Sequence, residues 1–241
     1  MGDRTARRRR WVALILAAIA LVGLAGWALT YTSIFHAHHI RVQGAGVLTA
    51  DEIRGLAGVS DGTNVVHFDR AGAVDRLENS PWIADASVQV ELPDTLVLGV
   101  TERRPVGVID ALGERGILAS DATLLPMTAG APDGLPTVRA GLGAPSEDQR
   151  RAAAALLSAL DPVVMARVTE VSVGQDGIVS LTLTSGTDVH AGELGDEAAK
   201  AEALRAVLRW ASSQNLDVTA IDVSAPTAPS ATLSDGSTLT P

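Results

Sequence analysis

From Trp11 to Phe35 the chain runs for 25 residues without a formal charge, and nothing else in it restricts the fold so strongly. Wound as a helix at about 1.5 Å per residue, roughly 20 such residues cross an apolar bilayer core of about 30 Å. Four arginines, Arg7 to Arg10, abut the run on one side, and no basic cluster follows it on the other. The positive-inside bias therefore predicts a cytoplasmic tail at 1–10, a transmembrane helix at 11–33 and an extracytoplasmic remainder. Trp11, Trp27, Tyr31 and Phe35 fall where aromatic rings favour the two interfaces. A cleaved signal peptide is the competing reading, but its apolar core is shorter, about 7–15 residues, and no small-x-small site follows this one.

Charge and composition narrow the function. The first ten residues hold five arginines against Asp3, so the other 231 residues carry 14 positive and 27 negative charges, net −13. A body so acidic repels phosphate backbones, and only Phe68, Trp82 and Trp210 remain outside the apolar run to stack on bases, so nucleic acid is excluded as a partner. The chain has no cysteine. That removes disulfides, thiolate metal sites, thiol nucleophiles and iron–sulfur redox chemistry.

Beyond the apolar run the pattern is mixed α+β. His39 to Gln43 alternates and ends at Gly44, a short strand. Thr49 and Glu52 fit a capping box for a helix burying Ile53 and Leu56 up to Gly58, and Asp69 caps a second helix with Ala73, Val74 and Leu77 on its inner face. Ala86, Val88 and Val90, then Leu96, Leu98 and Val100, alternate about a turn at Leu92-Pro93-Asp94, a β-hairpin with one buried face. The order is β-α-α-β-β.

Ile40-Arg41-Val42-Gln43-Gly44, Gly62-Thr63-Asn64-Val65, Ser80-Pro81-Trp82-Ile83-Ala84-Asp85-Ala86, Leu92-Pro93-Asp94-Thr95-Leu96 and Thr101-Glu102-Arg103-Arg104-Pro105-Val106 follow in sequence behind an anchor. In this the chain resembles the polypeptide-transport-associated (POTRA) domain of the bacterial FtsQ/DivIB division family, placed at 34–104. The resemblance continues through a β-rich second domain at 105–223. There Val106–Asp110 and Gly116–Ala119 read as strands, 126–136 as a Pro/Gly-rich loop, and Ser146 with Gln149 as the capping box of a helix bearing Ala152, Leu156 and Leu160. A meander over 168–190, a helix from about Asp196 to Ser212 and a strand from Val218 to Val223 follow. Residues 224–241, rich in Pro, Ala, Ser and Thr, are expected to be an edge segment and a mobile tail.

No constellation for catalysis stands out. Gly58-Val59-Ser60-Asp61-Gly62 matches G-x-S-x-G, but a nucleophile elbow needs a strand before the serine and a helix after it, and here a helix precedes. His36, His38 and His39 lack an acidic or thiol neighbour, so a polar juxtamembrane stretch is preferred to a metal site. His67 and His190 are isolated. Glu102-Arg103-Arg104 is a binding patch or a solvated strand end. Lys200, the only lysine, either meets a partner from an exposed helix face or pairs with Glu197.

The expectation is therefore a scaffold without catalytic residues, cofactor or metal. The resemblance implies partners as well: FtsB-like and FtsL-like single-pass division proteins, and through them the septal synthases FtsW and FtsI, at the cytoplasmic membrane of the division septum. It also implies that FtsB adds a strand to the final sheet edge. Ala225, Thr227, Ala228, Ser230, Thr232 and Leu233 are the candidates, with Lys200 and Leu204 as a second contact. A translocation factor or chaperone built on a POTRA unit is the alternative.

Overall fold

A computed structural model describes residues 3–111, 114–127, 132–141 and 143–240, without the side chains of residues 3–10, 12, 111 and 114. The chain divides into two compact units, 1–102 and 103–241.

The first unit opens with α1 (Asp3–Leu29). Its helix begins within the expected tail and ends before residue 33, where Thr30 to Thr32 and a single 3-10 turn at Ser33–Phe35 take over. From Ala13 to Leu29, 17 residues, every side chain is exposed. Among the described residues no helix is long and apolar enough to cross a membrane.

After α1 come β1 (His39–Gln43), α2 (Ala50–Ala57), α3 (Arg70–Glu78), β2 (Ile83–Glu91) and β3 (Thr95–Glu102), the expected β-α-α-β-β order. Local chemistry sets the helix ends. The Thr49 hydroxyl accepts from the Glu52 amide while the Glu52 carboxylate accepts from the Thr49 amide, a reciprocal cap. Those bonds hold the Glu52 carboxyl below its ordinary pKa. Gly58 ends α2 at φ +69°, a conformation natural to glycine.

The sheet order is β1-β3-β2, with β1 parallel and β2 antiparallel to β3. Ile53, Ala57, Leu77, Trp82, Ile83, Leu96 and Leu98 are all at most 2% exposed. Val97, on the opposite face of β3, is also buried, in register with both Arg41 and Gln89. An ion pair between Arg41 and Glu91 (3.2 Å) spans this face.

The second unit is one open sheet, ordered β13-β12-β11-β10-β9-β8-β7-β4-β5-β6 among the described residues. Its strands are β4 (Pro105–Ala111), β5 (Glu114–Ala119), β6 (Leu124–Pro126), β7 (Thr137–Arg139), β8 (Val168–Val173), β9 (Val179–Leu183), β10 (Asp188–Gly192), β11 (Val218–Asp222), β12 (Ser230–Leu233) and β13 (Thr238–Leu239). Two long helices, α4 (Glu147–Ala159) and α6 (Glu197–Gln214), supply Ala152, Leu156, Leu157, Leu204 and Val207 to the core. Facing strands contribute Val171, Leu181, Val189 and Ile221.

Three expectations are corrected. Among its described residues the unit holds a third helix, the four-residue α5 (Pro162–Met165), because Asp161 accepts from the Val163 and Val164 amides and Pro162 suits a first turn. The Pro/Gly-rich stretch 126–136 begins in β6, and its residues 128–131 lie outside the described residues. The stretch expected as an edge segment and tail carries two strands among the described residues, since β12 and β13 extend the sheet as far as Leu239.

Candidate partner-binding edge

Most of the residues that the family resemblance implies for partner binding lie at the end of this sheet. β11 lies parallel to β10, and β12 returns antiparallel to β11 with Ser230 opposite Asp222, Ala231 opposite Ile221, Thr232 opposite Ala220 and Leu233 opposite Val218. Ala231 is fully buried, whereas Ser230, Thr232 and Leu233 are partly exposed. β11 is thus an interior strand, and the connection after it turns at Ala225–Ala228, where the Ala228 amide donates to the Ala225 carbonyl (3.0 Å). Ala225, Thr227 and Ala228 are exposed on that turn.

The terminal edge belongs to β13, which pairs with β12 through only two residue pairs, Leu239 with Ala231 and Thr238 with Thr232. Ser234-Asp235-Gly236-Ser237 makes the hairpin turn, with Gly236 at φ +84°. The Asp235 carboxylate accepts from the Ser237 hydroxyl (2.6 Å) and amide (2.8 Å), which lowers its pKa. Sequence reasoning missed Thr238 and Leu239, although Asp-Gly between β-favouring residues is itself a hairpin signal.

Asp222 closes the other side of the β11–β12 turn. Partial burial pulls its carboxyl pKa up, but the Ser224 hydroxyl (2.6 Å) and amide (2.8 Å), aided by His190, hold it below the ordinary value.

The two side chains expected as a second contact on α6 are buried rather than on an exposed helix face. Lys200 is 6% exposed and Leu204 1%. Both lie on the stripe that continues to Val207 and Ala211 at helical spacing, and the Lys200 ammonium donates to the Glu193 carbonyl rather than pairing with Glu197. Its place four residues before Leu204 was the sequence signal for burial.

The charged segment at the end of β3 is structural too. The Glu102 carboxylate accepts from three consecutive amides, Gly46 (3.0 Å), Val47 (2.7 Å) and Leu48 (3.1 Å). Arg103 donates to Asp121 at 2.7 Å. Burial raises the Asp121 pKa, yet Arg103 and Thr123 leave it lowered on balance. Ser60 sits in a turn closed by Thr63, directly after α2 and its glycine cap, which is not the strand–turn–helix setting of a nucleophile elbow.

The architecture is that of a POTRA unit joined to an open β-sheet unit, and tandem family models describe both parts. The POTRA domain of FtsQ type matches residues 35–103, and the C-terminal domain of cell division protein FtsQ/DivIB matches residues 104–224. The cell division protein FtsQ of Streptomyces bingchenggensis is 31% identical over 234 residues, covering 93% of this chain and 87% of that protein. The FtsQ of Mycobacteroides abscessus is 29% identical over 195 residues, and the match spans 81% of this chain but 62% of that longer protein. The major extracytoplasmic domain of DivIB from Geobacillus stearothermophilus, in its trans isomer, aligns at a TM-score of 0.35 and 18% identity, covering 48% of this chain and 96% of that one. The chain belongs to the FtsQ/DivIB family of bacterial cell division proteins.

Proposed function

We propose that this chain is a non-enzymatic scaffold of the division machinery, anchored in the cytoplasmic membrane at the septum with its N-terminus inside and its two folded units outside. It binds FtsB-like and FtsL-like single-pass proteins, and through them regulates the FtsW and FtsI synthases that build septal peptidoglycan. The uncharged run behind Arg7 to Arg10 supports the anchor, as does the uniform exposure of α1 from Ala13 to Leu29: a helix apolar on every side is at home in lipid.

The carrying observation for binding is the two-pair attachment of β13. A backbone hydrogen bond contributes about 1 kcal/mol net, so this attachment is worth only a few kcal/mol at most. An incoming strand that pairs with all of Ser230–Leu233 replaces it with a longer ladder, and β-strand addition supplies its affinity through main-chain bonds. The side chains that then meet the partner are Thr232 and Leu233 on the strand and Ala225, Thr227, Ala228 and Ser230 at its entrance.

Photo-crosslinkers placed singly at Thr227, Ser230 and Leu233 in dividing cells are expected to capture an FtsB-like protein. A chain ending at Leu233, without β13, is expected to be captured more efficiently. Crosslinks arising only from positions in the first unit refute this site, and unchanged or lower capture after truncation refutes displacement of β13.

A further inference from the structure

In the first unit, outside α1 and the adjoining Tyr31, the large apolar side chains left exposed among the described residues are Ile34 (60%), Val66 (40%) and Leu92 (65%). Single exposed apolar residues are ordinary on any surface. These three are set apart by lying at one end of the unit, the end from which α1 departs.

The hydrogen bonds fix that placement. Immediately past α1, the Thr30 carbonyl accepts from Asn64 Nδ2 (2.7 Å) and the Thr30 hydroxyl bonds His67 Nε2 (2.8 Å). Tyr31 stacks on His67 with ring centroids 4.2 Å apart. Asn64 Oδ1 in turn accepts from the Val66 and His67 amides (3.0 and 3.1 Å), so Val66 is carried on a turn clamped to the helix end. The Val65 amide donates to the Phe35 carbonyl (2.8 Å), tying the same turn to the residue after Ile34.

Leu92 arrives from elsewhere in the sequence. Because β1 and β3 are parallel, the hairpin tip just before Thr95 lies where β1 begins, and the Asp94 carbonyl accepts from the His38 and His39 amides (3.0 and 3.3 Å). Nine residues separate Leu29 from His39, so both the 64–67 turn and the hairpin tip flank the short path out of the helix.

We infer that this end of the POTRA unit rests on the outer surface of the bilayer, with Val66 and Leu92 inserted at the headgroup boundary beside Ile34. The inference depends on α1 being the anchor proposed above. A helix that leaves the bilayer near Leu29 keeps whatever is hydrogen-bonded to Thr30 within the interfacial layer, where apolar tips and the Trp27–Tyr31 aromatic pair are favoured. No lysine or arginine lies among Thr30–His39, Asn64–His67 or Leu92–Asp94, so the contact is apolar and needs no anionic lipid.

The absence of cysteine makes the test direct. The full chain is reconstituted in phosphatidylcholine vesicles containing nitroxide-labelled acyl chains, with an environment-sensitive fluorophore on one of Leu92→Cys, Val66→Cys, Leu21→Cys or Ala45→Cys. Leu21 reports the anchor, and Ala45 follows the far end of β1. Quenching at positions 66 and 92 is expected to exceed that at 45 several-fold and to persist in high salt. Quenching at 21 with 66 and 92 no better than 45 overturns the inference and leaves the anchor intact, whereas no quenching at 21 removes both. Shielding of 66 and 92 that develops only after partner proteins are added assigns the patch to protein contact and overturns it as well.

Discussion

Glu102 is the residue on which the POTRA turn between β1 and α2 depends. Its carboxylate satisfies three neighbouring amides that no strand or helix partner reaches. Leaving such donors unpaired costs about 1–3 kcal/mol, so Glu102→Ala is expected to lower stability by that amount in urea unfolding, while a loss under about 0.5 kcal/mol shows the turn to be held otherwise. Asp222 gives a pH signature. Its folded pKa lies below the unfolded value, so its stabilising effect is present above the unfolded pKa, near 3.9, and is lost as pH falls through the folded one. Wild type should exceed Asp222→Asn in unfolding midpoint at neutral pH, with the gap closing below about pH 4. A gap unchanged in acid shows that the charge contributes nothing. Lys200 demonstrates the reverse of an exposed charge: its stem packs as core and a carbonyl takes its ammonium.

Among the elements, β3 organises the first unit because it is central and covered on both faces. Leu98 is fully buried there, opposite Val42 on one neighbour and Val88 on the other. Losing a buried leucine forfeits about 1.5–3 kcal/mol, and placing an unpaired carboxylate in the same site adds a larger penalty. Leu98→Asp is therefore expected to abolish hydrogen-exchange protection of the β1–β3 amides, and retained protection shows that the inward face has been misassigned. The helices and this hairpin were legible beforehand: Thr49 with Glu52, Ser146 with Gln149, and the alternation about Leu92-Pro93-Asp94 act over a few residues, and the structure keeps all three. β12 and β13 were not, since Ser-Ala-Thr-Leu and Thr-Leu are too short to show a hydrophobic period and are recruited by pairing, β12 with β11 and β13 with β12.

For the whole molecule the decisive question is which side of a membrane the folded units occupy. In the proposed topology the arginine run beside α1 puts them outside the cytoplasm. A reporter that is active only outside the cytoplasm, fused after Pro241, is expected to be active. Activity of a cytoplasm-only reporter at the same point overturns the anchor, and a mature N-terminus near residue 30 identifies a cleaved segment instead.

The sequence by itself determined the element order of the first unit, the capping boxes and the family, because those follow from interactions a few residues apart and from ordered motifs. Tertiary structure decided which strand is an edge and what covers α6. Lys200 and Leu204 are buried because α6 turns their stripe into the core, and β11 is an interior strand because β12 folds back on it. Which strand is the edge depends on pairing between segments brought together only by the finished sheet, which no local pattern encodes.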